Sequence, residues 1–204
     1  MPPAPVELAG GAVVLSAPTE ADIDRIAEFC RDPEVAAWTT VPSPYERADA
    51  ERFVTGTVPD GWASGRECTW ALRDAETRLL HGMIGLHHLH DGEGEIGYWL
   101  STEARGRGWM AAAVDLVLDY AFDGPPGLGL QRVVWHAYAG NVASAAVARR
   151  AGFQWEGVAR LGAPHRGVRR DEWQAALLPG DPRRPADGWP AAGWPAFTSA
   201  QAPL

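Results

Sequence analysis

The chain has 204 residues, 46% of them hydrophobic and 22% charged, an ordinary globular composition that excludes wholesale disorder and fits one domain with trimmings. A net charge of −8 counts against a nucleic-acid partner, and no apolar run approaches the ~18 residues that span a bilayer. The N-terminus lacks a basic stretch followed by an apolar one, so no secretory signal is expected. The two cysteines, Cys30 and Cys68, are too few for a disulfide scaffold or a cysteine-held zinc. A cytoplasmic protein with no membrane partner is expected. The charge is uneven: residues 1–102 carry 17 acids and 7 arginines, residues 103–204 carry 9 and 11. That split suits an anionic ligand on the C-terminal half and a neutral or cationic one on the N-terminal half.

Ala12–Ser16 predicts a short strand. A helix is expected from Thr19, with Ile23, Ile26 and Ala27 on one face, broken by Pro33 and the stretch from Trp38 to Pro42. Ser43-Pro44 is expected to open a second helix, with Ala48, Phe53 and Val54 as its apolar stripe and Pro59-Asp-Gly61 as its end. Cys68–Leu72, Leu80–Leu89 and Glu95–Leu100 then read as three strands, and their short turns predict an antiparallel meander. Arg107–Phe122 has the clearest helical period, through Met110, Ala113, Val114, Val117, Leu118 and Ala121. Arg132–Tyr138 reads as a central buried strand, Asn141–Ala151 as a short helix stopped by Gly152, and Phe153–Leu161 with Val168–Leu177 as a closing strand pair. The order β-α-α-β-β-β-α-β-α-β-β implies an α/β fold: a mixed, mostly antiparallel central sheet flanked by helices. Residues 1–178 make one domain in this reading. Residues 179–204 form a Pro/Gly/Trp-rich tail, either solvated or docked through Trp189 and Trp194 on the body or on a second subunit of a homodimer.

The most informative stretch is Arg105-Gly106-Arg107-Gly108-Trp109-Met110, between a strand and a helix. Unpaired N–H groups at a helix start, glycines that let the backbone close around an anion, and two arginines make a phosphate cradle. Gly106-x-Gly108-x-x-Ala111 also matches a dinucleotide fingerprint, but the context does not. The next strand, Arg132–Tyr138, ends without the required acid, and the preceding strands form hairpins. With no lysine in the chain there is no P-loop either.

Together Ile84-Gly85, Glu95-Ile-Gly-Tyr-Trp-Leu100, Arg105-Gly-Arg-Gly-Trp-Met110, Arg132-Val133, Asn141-x-x-Ser144, Ala151-Gly-Phe153 and Glu156-Gly157 resemble the GNAT acyltransferases. Within them, they resemble the RimJ and RimL group of ribosomal-protein N-terminal acetyltransferases. The likeness runs from about Ile84 to Leu178, and the part before it is similar in layout only. Met110 departs from the Gly or Ala of the wider superfamily and resembles the RimJ/RimL branch.

The resemblance implies a GNAT-like fold using acetyl-CoA, or another acyl-CoA, in a ternary complex. Backbone N–H groups of Arg105, Gly106, Arg107, Gly108, Trp109 and Met110 would hold the pyrophosphate. Tyr98, Trp99 and Leu100 would pair with the pantetheine arm, leaving an N–H to polarise the thioester carbonyl. Asn141 and Ser144 would face the same arm, with Ser144 as proton donor to the leaving thiolate; Tyr138 is the alternative donor. By its residue type alone, Asn141 is a helix cap.

Glu95 is the candidate base, on one strand face with Gly97 and Trp99, while Asp91 and Glu93 have weaker claims. Of His81, His87, His88 and His90, His88 and His90 would share a strand face, but no cysteine or third spaced ligand accompanies them, so no metal is expected; the histidines line the acceptor cleft or the exposed strand end in this reading. Asp171 and Glu172 either pair with Arg169 or Arg170 or face the amine. The expected activity is N-acyl transfer from acetyl-CoA to a primary amine, on a small molecule or a protein N-terminus. The alternatives are a non-catalytic acyl-CoA-binding module and a transferase using succinyl-CoA or another acyl-CoA.

Overall fold

The computed structural model describes residues 4–190. Two short strands, β1 (Leu8–Gly10) and β2 (Val13–Ser16), form a hairpin that precedes four helices: α1 (Ile23–Cys30), α2 (Pro33–Trp38), α3 (Arg47–Arg52) and α4 (Val58–Ser64). The meander follows as β3 (Cys68–Asp74), β4 (Leu80–His90) and β5 (Glu93–Leu100). Then come α5 (Trp109–Phe122), β6 (Arg132–Tyr138), α6 (Val142–Ala151), β7 (Gln154–His165) and β8 (Val168–Leu177). One eight-stranded sheet results, in the order β1-β2-β3-β4-β5-β6-β8-β7, antiparallel except where β5 meets β6. It is the α/β, mostly antiparallel, helix-flanked architecture expected from the element order.

The two faces of the sheet are covered by different parts of the chain. The stripe expected for α5, from Met110 to Ala121, is buried throughout. It packs with Trp70, Ile84, Ile96, Val133 and Trp135 on one face. On the other face Ile23, Ile26 and Ala27 of α1 and Ala50 of α3 cover Ala71, Leu80 and Met83. Alternation along each strand sends neighbouring residues to opposite faces, so both cores come from the same strands. Arg73 pins the N-terminal helices to the sheet: its two terminal nitrogens donate to the two oxygens of Asp22 at 2.7 Å each. These side chains are only 9% and 7% exposed.

Three expectations for the N-terminal half are corrected. The first helix does end before Pro33, at Cys30, but Pro33 also begins a helix of its own, α2: it sits in the first turn, where a missing N–H costs nothing, and the Asp32 side chain accepts from Glu34 N at 2.9 Å. The second helix starts at Arg47 rather than at Ser43-Pro44, with Glu46 and Asp49 forming a reciprocal cap. Nor does it stop at Pro59-Asp-Gly61. The π-helical turn Phe53–Thr57 carries it into α4, which tolerates Pro59 in its first turn and ends at Gly65 with φ +68°. β1 was not foreseen.

Residues 179–190 lie against the body. Trp189 is 8% exposed, its indole N–H donates to Phe153 O at 2.8 Å, and its ring lies 5.6 Å from Trp135 and 5.3 Å from Trp155. The segment crosses Gly152 so closely that a Cβ there would stand 2.4 Å from Pro182 O, and φ is +102°; only glycine fits. Trp194 lies outside the described residues.

Candidate active site

The site begins where two strands part. β5 and β6 pair only from Glu93↔Arg132 to Glu95↔Val134, although β5 continues to Leu100 and β6 to Tyr138. β6 is held on its other side by β8 as far as Tyr138, and β5 by β4 as far as Leu100. Beyond Glu95 the facing edges therefore diverge, leaving backbone N–H and C=O groups of β5 without a β6 partner. A cleft of about 800 Å³ occupies this divergence and reaches both faces of the sheet.

On the α5 side, Gly106 and Gly108 both have φ +76° and open space where a Cβ would stand. The glycines shape a turn that leaves the first N–H groups of α5 facing outward, with the partial positive charge of a helix N-terminus. Trp109 and Met110 are buried, so their side chains belong to the core and only their backbone is available to a ligand. Arg107 lies over the Trp109 ring at 5.2 Å, and Arg105 is ion-paired with Glu34. Ser144 is fixed at three points. Its N–H donates to Asn141 Oδ1 at 3.2 Å, its Oγ accepts from Trp135 Nε1 at 3.0 Å, and its carbonyl accepts from Tyr98 Oη at 3.0 Å. Asn141 is thus a helix cap as well as a cleft-lining residue. Tyr98, Asn141 and Ser144 come together; Trp99 faces away, edge-on to Phe29 at 6.3 Å, and Leu100 packs against the α5-side core.

On the opposite face stands Glu95, its side chain 28% exposed. One of its oxygens lies 3.3 Å from His136 Nδ1 and 3.3 Å from His88 Nδ1. Burial pushes its carboxyl up, but the two imidazoles outweigh this and hold it below the usual carboxylate range. His136 responds oppositely: the bond to Glu95 raises it above the ordinary imidazole value, against burial. His88 reaches Glu95 from a β4 irregularity where its own φ is +51°, rare for a residue with a Cβ.

The other acids and histidines separate. Asp91 is fully exposed in the turn, and Glu93 pairs with Arg132 at 2.8 Å. His81 pairs with Glu103 at 3.0 Å, and His90 lies 3.7 Å from Asp91. Among the described residues no three groups are placed to hold a metal ion. Glu172 lines the cleft and accepts from Gln174, whereas Asp171 accepts from Leu161 N. Tyr138 donates to Pro164 O at 3.1 Å on the acceptor face, with Arg170 over its ring at 5.0 Å.

His136 escaped the sequence reading. The only local signal was a polar residue alternating with the buried Val133 and Trp135 in an otherwise apolar strand. Its contact with Glu95 depends on a parallel register set by the α5 crossover.

A family model described as an acetyltransferase (GNAT) domain matches residues 12–154. The chain belongs to the GNAT acetyltransferase family, and it is an N-acetyltransferase. Among its relatives is YdaF of Bacillus subtilis (strain 168), which carries a provisional ribosomal N-acetyltransferase name; it is 43% identical over 166 residues, spanning 77% of this chain and 86% of YdaF. Solved structures share the fold, among them the following two. RimL, a ribosomal L7/L12 α-N-protein acetyltransferase in complex with coenzyme A, has a TM-score of 0.76 at 18% identity, covering 85% of this chain and 98% of RimL. The microcin C7 self-immunity acetyltransferase MccE, in complex with acetyl-CoA and AMP, has a TM-score of 0.73 at 19% identity, covering 83% and 93%. Membership favours an enzyme over the non-catalytic binding module.

Proposed function

We propose that this N-acetyltransferase moves the acetyl group of acetyl-CoA directly to the N-terminal amine of a protein within a ternary complex. The observation that carries this reading is the position of Glu95. It stands where β5 and β6 part, between the glycine cradle on one face and the cleft under the N-terminal helices on the other. The residues present fit a long anionic thioester. The N–H groups of residues 105–110 and Arg107 suit its pyrophosphate, and the open edge of β5 from Tyr98 to Leu100 suits its amide-bearing arm. The bound thioester supplies an activated acyl carbon.

The chain's own groups do the rest. A β5 N–H on the open edge polarises the carbonyl, a donor of the kind worth a few kcal/mol. Glu95, ionised and backed by His136, takes the proton released from nitrogen as the amide forms. Ser144, whose Oγ already accepts from Trp135, keeps its hydroxyl hydrogen free for the departing sulfur. The acidic acceptor face, with Glu67, Glu95 and Glu172, suits an incoming ammonium. RimL is by its name a ribosomal L7/L12 α-N-protein acetyltransferase and YdaF carries a ribosomal N-acetyltransferase name, which supports a protein N-terminus over a small amine.

Thermal melting tests the donor. Acetyl-CoA at 100 times its Kd should stabilise the protein by about 2.7 kcal/mol. The shift should shrink in Gly108→Glu, with succinyl-CoA, CoA and NAD as comparisons. Mass spectrometry of peptides with free and blocked N-termini tests the acceptor, and only free N-termini should be acetylated. No shift with any CoA species overturns the donor, and acetylation of small amines alone replaces the acceptor.

A further inference from the structure

A second carboxylate–imidazole pair faces the same cleft. Thr69↔Gly85, Gly85↔Gly97 and His87↔Glu95 are cross-strand partners on β3, β4 and β5, so Gly85, Gly97, His87 and Glu95 share the acceptor face. The paired glycines make a flat floor, and the His87 ring fills it. A Cβ at Gly85 would stand 3.0 Å from His87 Nε2, and one at Gly97 would stand 3.3 Å from the same nitrogen. The other ring nitrogen, Nδ1, lies 3.6 Å from Glu67 Oε2, with the two side chains 33% and 36% exposed. Pairing with His87 holds the Glu67 carboxyl below its ordinary range, against burial, with smaller help from His88 and Arg66. The Glu67 carboxylate beside Nδ1 favours the tautomer with its hydrogen there, leaving the Nε2 lone pair beside the glycine floor, on the strand face that Glu95 shares.

N-acetylation of an ammonium removes two protons from one nitrogen. The first must leave before the nitrogen has a lone pair; the second leaves as the N–C bond forms and the C–S bond breaks. Glu95 is shared between two imidazoles and held low, so it is a poor match to an ammonium. The other base facing this floor is the His87 imidazole, whose Nε2 lies beside Gly85 and Gly97. We propose that His87 Nε2, oriented by Glu67, takes the first proton from the acceptor ammonium, and that the Glu95–His136 pair takes the second. His87 is then a catalytic residue and Glu67 a positioning residue. The first proton leaves through the partly exposed His87–Glu67 pair to solvent. The second balances the proton given to the thiolate, so the overall yield is amide, thiol and one released proton. This inference rests on the acetyl-transfer reading above.

The test compares two amines of the same short peptide sequence. One has an ordinary N-terminus, protonated at neutral pH; the other has a weakly basic α-hydrazide-type nitrogen that is already neutral. Wild type, His87→Ala, Glu67→Gln, Glu67→Asp and Glu95→Gln are assayed with saturating acetyl-CoA. His87→Ala should lower kcat/KM for the ordinary peptide on the order of 10²-fold and for the neutral amine less than about threefold. Free imidazole should restore part of the loss by filling the space above Gly85 and Gly97. Glu67→Gln should follow His87→Ala in the same discriminating pattern, with partial rescue by Glu67→Asp, and Glu95→Gln should slow both amines alike. Equal slowing of both amines by His87→Ala, or no slowing, overturns this inference alone. No acetylation of either amine by the wild type overturns the functional reading and the inference with it.

Discussion

The two faces of the sheet were written into the chain in different ways. The α5 face is local: a strand, a glycine turn and an amphipathic helix follow one another within residues 93–122, and each sets the next. The acceptor face is assembled from a distance. Asp22 meets Arg73 across 51 residues, and Glu95 meets His136 across a helical crossover. The first face should tolerate changes that keep its backbone, while the second should fail where a buried long-range partner is lost.

The largest expected effect breaks the acceptor face. Arg73→Met leaves the Asp22 carboxylate buried without its fork, and Ser16 Oγ without its donor at 2.8 Å. Removing one partner of such a pair costs about 3–5 kcal/mol, which urea unfolding measures. An exposed pair on the same helices gives the contrast. Arg47, linked to Asp24 at 2.8 Å and to Glu51 at 3.3 Å, should change stability by less than about 1 kcal/mol when replaced by alanine.

Next comes chemistry. Glu95→Gln should lower kcat/KM by about 10²-fold with the fold intact. It should also move the His136 titration, followed by NMR, down toward the ordinary imidazole value. The linkage follows from the two directions. Glu95 is held low, so its share of stability is present above about pH 4.3 and is lost as pH falls through its folded value. His136 is raised, so its share is complete below about pH 6.5 and is lost as pH rises through its folded value. The pair should stabilise most between those limits, and Glu95→Gln should flatten that part of the stability–pH curve.

What the sequence disclosed follows the same division. The buried stripe of α5, the αL glycine ending α6 and the three meander strands are set by period and punctuation inside short windows, and they stand where expected. The α2 start at Pro33 was readable in principle, because Asp32 before a proline is a cap followed by a first-turn residue. A proline read only as a helix breaker hides that start. His136 and the Asp22–Arg73 pair were not readable locally, since their partners depend on strand register. Glu95 and Ser144 are singled out by their place in a motif, yet the partners that contact them, His136 and Trp135, lie on β6.

The smallest effect tests where the faces communicate. The turn after β5, Thr102–Ala104, and Arg105 are tied to the N-terminal helices by Thr102 Oγ1 to Asp32 at 2.8 Å, by Arg25 to Glu103 at 3.0 Å and by Arg105 to Glu34. Arg105 therefore spends its charge on α2, while Arg107 faces outward beside the cradle. Arg105→Ala should cost about 0.2–1 kcal/mol, decreasing with added salt, and should raise the KM for acetyl-CoA less than Arg107→Ala does. Glu34→Ala releases the Arg105 guanidinium toward the glycine turn and should lower that KM in Glu34→Ala but not in the Glu34→Ala/Arg105→Ala double variant. A double-mutant cycle with no coupling in acetyl-CoA KM would show that the cofactor face works independently of the helices that build the acceptor face.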